Sequence, residues 1–225
     1  EDLRPNRLEA AKEVAIEFIS NRPDDRIGLV VFSGESFTQC PLTSNHALLI
    51  NLYKDISFGM IDDGTAIGDG LATAVNRLKE SKAKSKVIIL LTDGINNMGS
   101  IDPQSAAEIA ELFGIRIYTI GVGTMGTALV PVRTQFGMQY QRMEVQIDEV
   151  LLQKVSALTN GKYFRATNKQ KLQEVYKEID RLEKSKIDVT EFSRKKEEFL
   201  PFVVFALLFL TLEFIMRFIV LKIVS

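Results

Sequence analysis

The chain of 225 residues has no tryptophan, one histidine (His46) and one cysteine (Cys40). A single cysteine excludes an internal disulfide framework, and with one histidine no Cys/His zinc cluster can be assembled. Any metal site must therefore use oxygen ligands, which favours Mg2+, Mn2+ or Ca2+. Cys40 reads as a small hydrophobic residue near a strand end, since no histidine or basic cluster adjoins it. An excess of charge is missing too: the formal net charge of −1 offers no electrostatic footprint for nucleic acid. No G-x-S-x-G elbow and no G-x-x-x-x-G-K-[ST] loop is present, so the ordinary signatures of a serine hydrolase and a P-loop NTPase are absent. His46 follows Thr43-Ser44-Asn45 at the head of an amphipathic segment, which suits a surface or capping role better than a Ser-His-Asp triad. There is no internal repeat and no low-complexity segment.

What is present begins with an apolar fraction of 46%, enough for a core. The segment Val87-Ile-Ile-Leu-Leu-Thr-Asp-Gly94 is the most informative. Five consecutive aliphatic residues predict a strand buried on both faces, central in a parallel sheet covered by helices. It ends in Asp93, followed by a glycine that allows a sharp turn. Ligands of open α/β sheets bind outside the carboxyl ends of the strands, so Asp93 is a candidate metal ligand or catalytic acid. A simple turn or helix-capping role is the competing reading.

Helix-like and strand-like segments alternate through residues 1–185. Apolar spacing predicts helices over 8–19, 45–55, 65–80, 103–113, 149–158 and 169–182. Strands are predicted at 26–32, 35–42 (stopped by Pro41), 87–92, 115–120 and 163–164, with a hairpin over 130–145 around Phe136-Gly137. This order calls for a doubly wound, mostly parallel α/β sheet with helices on both sides.

The C-terminus departs from the pattern of a soluble domain. Residues 186–198 form a charged connector, and 199–212 carry no charge. Extended to Leu221, the apolar stretch 199–221 reaches about 34 Å at 1.5 Å per residue, enough for a transmembrane helix. Glu213 and Arg217 stand four apart and can pair on one helix face. A buried or interfacial amphipathic helix is the alternative. Arg194, Lys195 and Lys196 precede the span and only Lys222 follows it, which places the preceding domain in the cytoplasm.

Two further places could carry chemistry. Asp62-Asp63-Gly64-Thr65 is a polar turn entering a helix. The Thr65 hydroxyl suits a helix N-cap; sharing a groove with Asp93, it would instead help to make a hard-cation site. Gly121-Val-Gly123-Thr-Met-Gly126 matches G-x-G-x-x-G after a strand. It runs into a hairpin rather than a helix, so it lacks the context of a dinucleotide loop.

Taken together, Ile27-Gly-Leu-Val-Val-Phe-Ser33, Asp63-Gly-Thr-Ala-Ile-Gly-Asp-Gly-Leu71 and Val87–Gly94 closely resemble the von Willebrand factor type A domain. Pro5-Asn-Arg-Leu-Glu-Ala-Ala-Lys12, the segment 132–145, Gly161-Lys-Tyr-Phe-Arg-Ala-Thr167 and the terminal span resemble the bacterial BatA-type aerotolerance proteins. The resemblance implies a Rossmann-like fold with a metal-ion-dependent adhesion site (MIDAS). Its ligands are a D-x-S-x-S motif after the first strand, a Thr on a second loop (here Thr65) and an Asp on a third (here Asp93). No D-x-S-x-S occurs in these residues, so the first strand is expected to be missing from the chain and the site to be incomplete.

The implied function is non-enzymatic: a membrane-anchored module at the bacterial inner membrane that binds proteins through Mg2+, or Mn2+ or Ca2+. The implied partners are a MoxR-type AAA ATPase and other A-domain membrane proteins, in envelope assembly or stress tolerance. Two other classes stay open, a metal-independent structural membrane subunit and a metal-dependent hydrolase using Asp62, Asp63 and Asp93.

Overall fold

The structure, a computed structural model, describes residues 3, 5–124, 126–134, 137–145, 147–194 and 200–215, with backbone only over 126–145, 185–200 and 214–215. The chain divides into two units, Glu1–Glu183 and Lys184–Ser225. In the first, helix α1 (Arg7–Ser20) is capped by Asn6, whose side-chain oxygen accepts from the Glu9 N–H. Strands β1 (Ile27–Phe32) and β2 (Ser36–Thr43) form an antiparallel hairpin. Pro41 was expected to stop β2, yet the strand runs through it. The register passes from Ile27↔Thr43 to Leu29↔Cys40, so a bulge places Pro41 and Leu42 where no ladder hydrogen bond is needed.

Helices α2 (His46–Lys54) and α3 (Ile67–Leu78) lead to β3 (Lys86–Thr92), α4 (Pro103–Leu112) and β4 (Ile115–Val122). The expected hairpin is β5 (Gly126–Thr134) with β6 (Gly137–Val145), antiparallel; its turn residues 135–136 lie outside the described ones. Then follow α5 (Glu149–Leu158), β7 (Tyr163–Ala166) and α6 (Lys169–Arg194).

Strands β3, β4 and β7 form one parallel sheet in the order β3-β4-β7, with helices on both faces as expected. Alternation along the strands sorts the core into two clusters. Val87, Ile89, Leu91, Tyr118 and Ile120 meet Val14 of α1 and Leu172 and Ile179 of α6. Ile88, Leu90, Ile115 and Ile117 meet Ile67 and Leu71 of α3, Ala106 and Ala107 of α4, and Leu152 and Val155 of α5. Each fully buried Ile or Leu adds about 1.5–3 kcal/mol relative to exposure.

The central strand of this sheet is β4, not the expected β3. Every β4 residue but Arg116 is buried, whereas Val87, Ile89 and Leu91 of β3 are only half-buried. The cause is pairing: β4 has a strand on each side, and β3 has one on its β4 side only, among the described residues. No ladder joins β1 to β3, although helices bridge the two sheets. Phe32 of β1 packs with α3 and β3 residues. On the other face, α1 places Val14 against β3 and β4 and Ile19 against Leu29 and Val31 of β1. Among the described residues β1 and β3 each pair with a strand on one side only.

At the opposite end of the sheet, Glu183 of α6 is buried and fully engaged. It accepts from the Tyr118 hydroxyl (2.6 Å) and the Ser85 hydroxyl (2.8 Å), and it pairs with the Arg116 guanidinium. Burial pulls the Glu183 carboxyl up, but these hydrogen bonds and the Arg116 charge outweigh it and hold the group below its ordinary value.

In the second unit, α7 (Leu200–Ile215) has 16 residues, and the described side chains of 201–213 are all exposed. Sixteen residues span about 24 Å, short of a hydrocarbon core of about 30 Å. Among the described residues no helix is long and apolar enough to cross a membrane. The rest of the expected span, residues 199 and 216–221, lies outside the described residues, and with it the expected Glu213–Arg217 pair.

Candidate functional site

The loops at the carboxyl ends of β1 and β3 are cross-tied. After β1, the Ser33 hydroxyl donates to the Gly64 carbonyl oxygen (3.1 Å), and the Ala66 N–H donates to Ser33 (2.7 Å). After β3, Asn97 accepts from the Thr65 N–H through its side-chain oxygen (2.9 Å), while the N–H groups of Asn97 and Met98 donate back to the Thr65 carbonyl (3.1 and 3.3 Å). The Asp69 carboxylate accepts from the Ser100 and Ile101 N–H groups.

These ties decide the role of Thr65. The residue in the cap position of α3 is Ala66, which offers no side chain for the task. Asn96 performs it from the other loop, its side-chain oxygen accepting from the Ile67 N–H at 2.8 Å. Thr65 is therefore not the helix cap, and among the described residues its hydroxyl makes no hydrogen bond. Thr92, buried at the end of β3, accepts from the Gly94 N–H and turns the chain. A β-carbon on Gly94 would stand 3.0 Å from Thr65 Oγ1. The structure thus brings the Thr65 hydroxyl against the turn that carries Asp93, which is exposed.

Asp93 has a partner that the sequence reading missed. Arg7, the first residue of α1, donates from Nη1 to Asp93 Oδ2 at 3.1 Å. Asn96 and Asn97 work through side-chain bonds to backbone N–H groups of the other loop, which no local pattern reveals. Asp62 and Asp63 are exposed, and no side-chain hydrogen bond involves them among the described residues. Among those residues no three Asp, Glu, His or Cys come together to hold a metal, so the trio required by a hydrolase is not assembled. A hydroxyl and a carboxylate fit a hard cation by type, but two oxygens fall short of the six or so that Mg2+ takes.

Phe58, Met60, Ile95, Met98 and Ile101 are exposed on the same two loops, 55–66 and 93–102. Gly121 lies in β4, Gly123 leaves it with φ of 114°, and Gly126 opens β5, so this glycine run starts no helix. Cys40 is buried, and burial pushes its thiol up, as suits a small core residue.

The profile of the von Willebrand factor type A domain matches residues 2–178. The chain belongs to this family. The A domain is similar to a UPF0353 protein of Mycolicibacterium paratuberculosis, 31% identical over 80% of this chain and 55% of that protein. The chain thus spans about half the length of that curated relative. Among solved structures it is similar to BatB from Bacteroides thetaiotaomicron, with 29% identity, a TM-score of 0.69, and 81% and 91% of the two chains covered. It is also similar to an aerotolerance-related membrane protein from Bacteroides fragilis carrying multiple mutations to serine. There the identity is 28%, the TM-score 0.68, and the shares covered are 80% and 89%.

Proposed function

We propose that this A domain is a membrane-anchored module that binds protein partners through a divalent cation held at the carboxyl end of its sheet. The observation that carries the reading is the placement of Thr65. Its hydroxyl, released from capping by Asn96, stands against the turn bearing Asp93. Domains of this family commonly bind a metal ion. Thr65 and Asp93 would contribute two of the oxygens. Water or a partner's carboxylate would complete the octahedron around Mg2+, Mn2+ or Ca2+. The apolar side chains on the two loops support protein binding, because exposed Phe and Met side chains on cross-tied loops suit an interface.

The proposed partners are a MoxR-type AAA ATPase and other A-domain membrane proteins; likeness to an aerotolerance-related membrane protein supports the membrane setting. The apolar segment 199–221 would anchor the module in the bacterial inner membrane, with the A domain on the cytoplasmic side. The module would act by binding rather than by catalysis. The second reading, a metal-independent structural subunit, is favoured by the Arg7–Asp93 ion pair. A calorimetric Mn2+ titration of the protein at its natural length tests the proposal. Saturable binding that Asp93→Ala abolishes is expected; a folded protein that takes up no Mn2+ leaves the second reading.

A further inference from the structure

The β5–β6 hairpin is a sheet of its own. It follows the carboxyl end of β4, which stops at Val122, and returns at Val145 ahead of α5. The strands pair antiparallel from Gly126↔Val145 to Thr134↔Gly137, and among the described residues neither pairs with a third strand. A two-stranded ribbon alone is marginal in water and becomes independently stable with further strands or packing. Its two outer edges are not equivalent. Pro131 stands in the middle of β5, opposite Tyr140. Proline has no N–H to give, so Pro131↔Tyr140 belongs to the pairs whose backbone groups turn away from the hairpin's own ladder. Alternation fixes the rest: positions 127, 129, 131 and 133 of β5 and 138, 140, 142 and 144 of β6 present their backbone groups outward. On the β5 side Pro131 interrupts that row, a device that closes an edge to further pairing. On the β6 side Met138, Tyr140, Arg142 and Glu144 each offer an N–H and a carbonyl.

We propose that the outer edge of β6 is a dimerisation site, and that its occupant is β6 of a second copy of this chain, paired antiparallel across a two-fold axis. A strand edge matches itself under that symmetry, since every donor in one copy meets an acceptor in the other. The charges agree with it. With the axis at Gln141, position 140 faces 142 of the other copy and 138 faces 144, so Arg142 meets a tyrosine position and Glu144 a methionine position. Neither charge stands directly across from its like. The product is a four-stranded sheet in the order β5-β6-β6-β5. Both of its new edges belong to β5 and both carry Pro131, so pairing stops at two copies rather than running on into a fibre. The association requires no metal.

The test is the mass of the full chain in detergent, read by light scattering on a sizing column over a dilution series, with the detergent contribution subtracted. The wild type is expected at twice the chain mass, falling to one chain on dilution. Arg142→Pro removes an outward N–H of β6 and spares the inner ladder; it should weaken the dimer at least about tenfold in dissociation constant. Leu129→Pro makes the same change directly opposite, on the edge already closed, and should leave the mass unchanged. Arg142→Ser keeps the N–H and should remain a dimer. Circular dichroism checks the folding of each variant. Backbone hydrogen exchange reads the wild type without any substitution: peptides covering 137–145 should gain protection as concentration rises, and those covering 126–134 should not. A wild type that is a single chain at every concentration overturns the proposal, as does one larger than two chains. Arg142→Pro as dimeric as the wild type overturns it, because the copies then meet elsewhere. Leu129→Pro or Arg142→Ser as disruptive as Arg142→Pro overturns it as well, since the β6 backbone edge is then not what pairs.

Discussion

Glu183 shows how a single buried carboxylate can hold two elements together. Its oxygens join the β4 side chains Arg116 and Tyr118, and Ser85 before β3, to α6. Removing the charge in Glu183→Gln leaves the Arg116 guanidinium without its counter-ion and is expected to cost about 1–3 kcal/mol, measured by urea denaturation. The sign of the pH effect follows from the direction of the shift. The folded-state carboxyl titrates below its usual value of 4.5, so its stabilisation is present above that value and fades as pH falls through the folded one. The stability gap between wild type and Glu183→Gln should hold steady from neutral pH down to about 5 and shrink below it.

Legibility at this scale was uneven, for a physical reason. Asp93 stands out because five aliphatic residues precede it, and Thr65 because a polar turn does. Arg7, Lys12 and Glu183 lie on helices whose charged positions read as solvated faces. Yet Lys12 is buried, donating to the Lys54 and Ile56 carbonyls at the end of α2. Such roles depend on partners 42 to 98 residues away, which local periodicity does not encode.

At the scale of elements, the approach of the 99–102 loop to α3 is the tightest constraint near the site. Gly68 lies in the first turn of α3, and a β-carbon there would fall 1.8 Å from the Ile101 carbonyl oxygen. Backbone, not a pliable side chain, is the obstacle. Gly68→Ala should therefore displace the loop that Asp69 holds through the Ser100 and Ile101 N–H groups. Overpacking of this kind costs about 1–3 kcal/mol or more, which thermal unfolding would register. Mn2+ binding should weaken with it, since the same loop carries Asn96 and Asn97. Most elements were legible from the sequence because each has one clear period; the exceptions were made by neighbours. β3 reads as central from its five aliphatic residues, but β4 holds that place because it has a strand on each side. The β2 strand survives Pro41 because β1 accommodates a bulge, which no reading of β2 alone would show.

At the scale of the whole molecule, the two units differ in burial. Residues up to Glu183 bury clusters around a sheet, while the described side chains of 201–213 are exposed. If segment 199–221 enters lipid, the full chain should partition into the detergent phase of a Triton X-114 separation. A chain ending at Arg194 should stay in the aqueous phase. Aqueous partition of both would place the apolar helix in a protein contact instead of a bilayer.

Among the described residues β3 pairs with a strand on one side only. Val87-Ile-Ile-Leu-Leu91 is uncharged, strongly β-forming and free of proline, and along one side its backbone donors and acceptors face no strand among the described residues. A strand of that composition is a template for cross-β growth, in which each new copy satisfies the edge and presents a fresh one. What pairs with that edge therefore also governs colloidal fate. Occupied, the edge is capped; left open, the same five residues that build the core can seed a fibril.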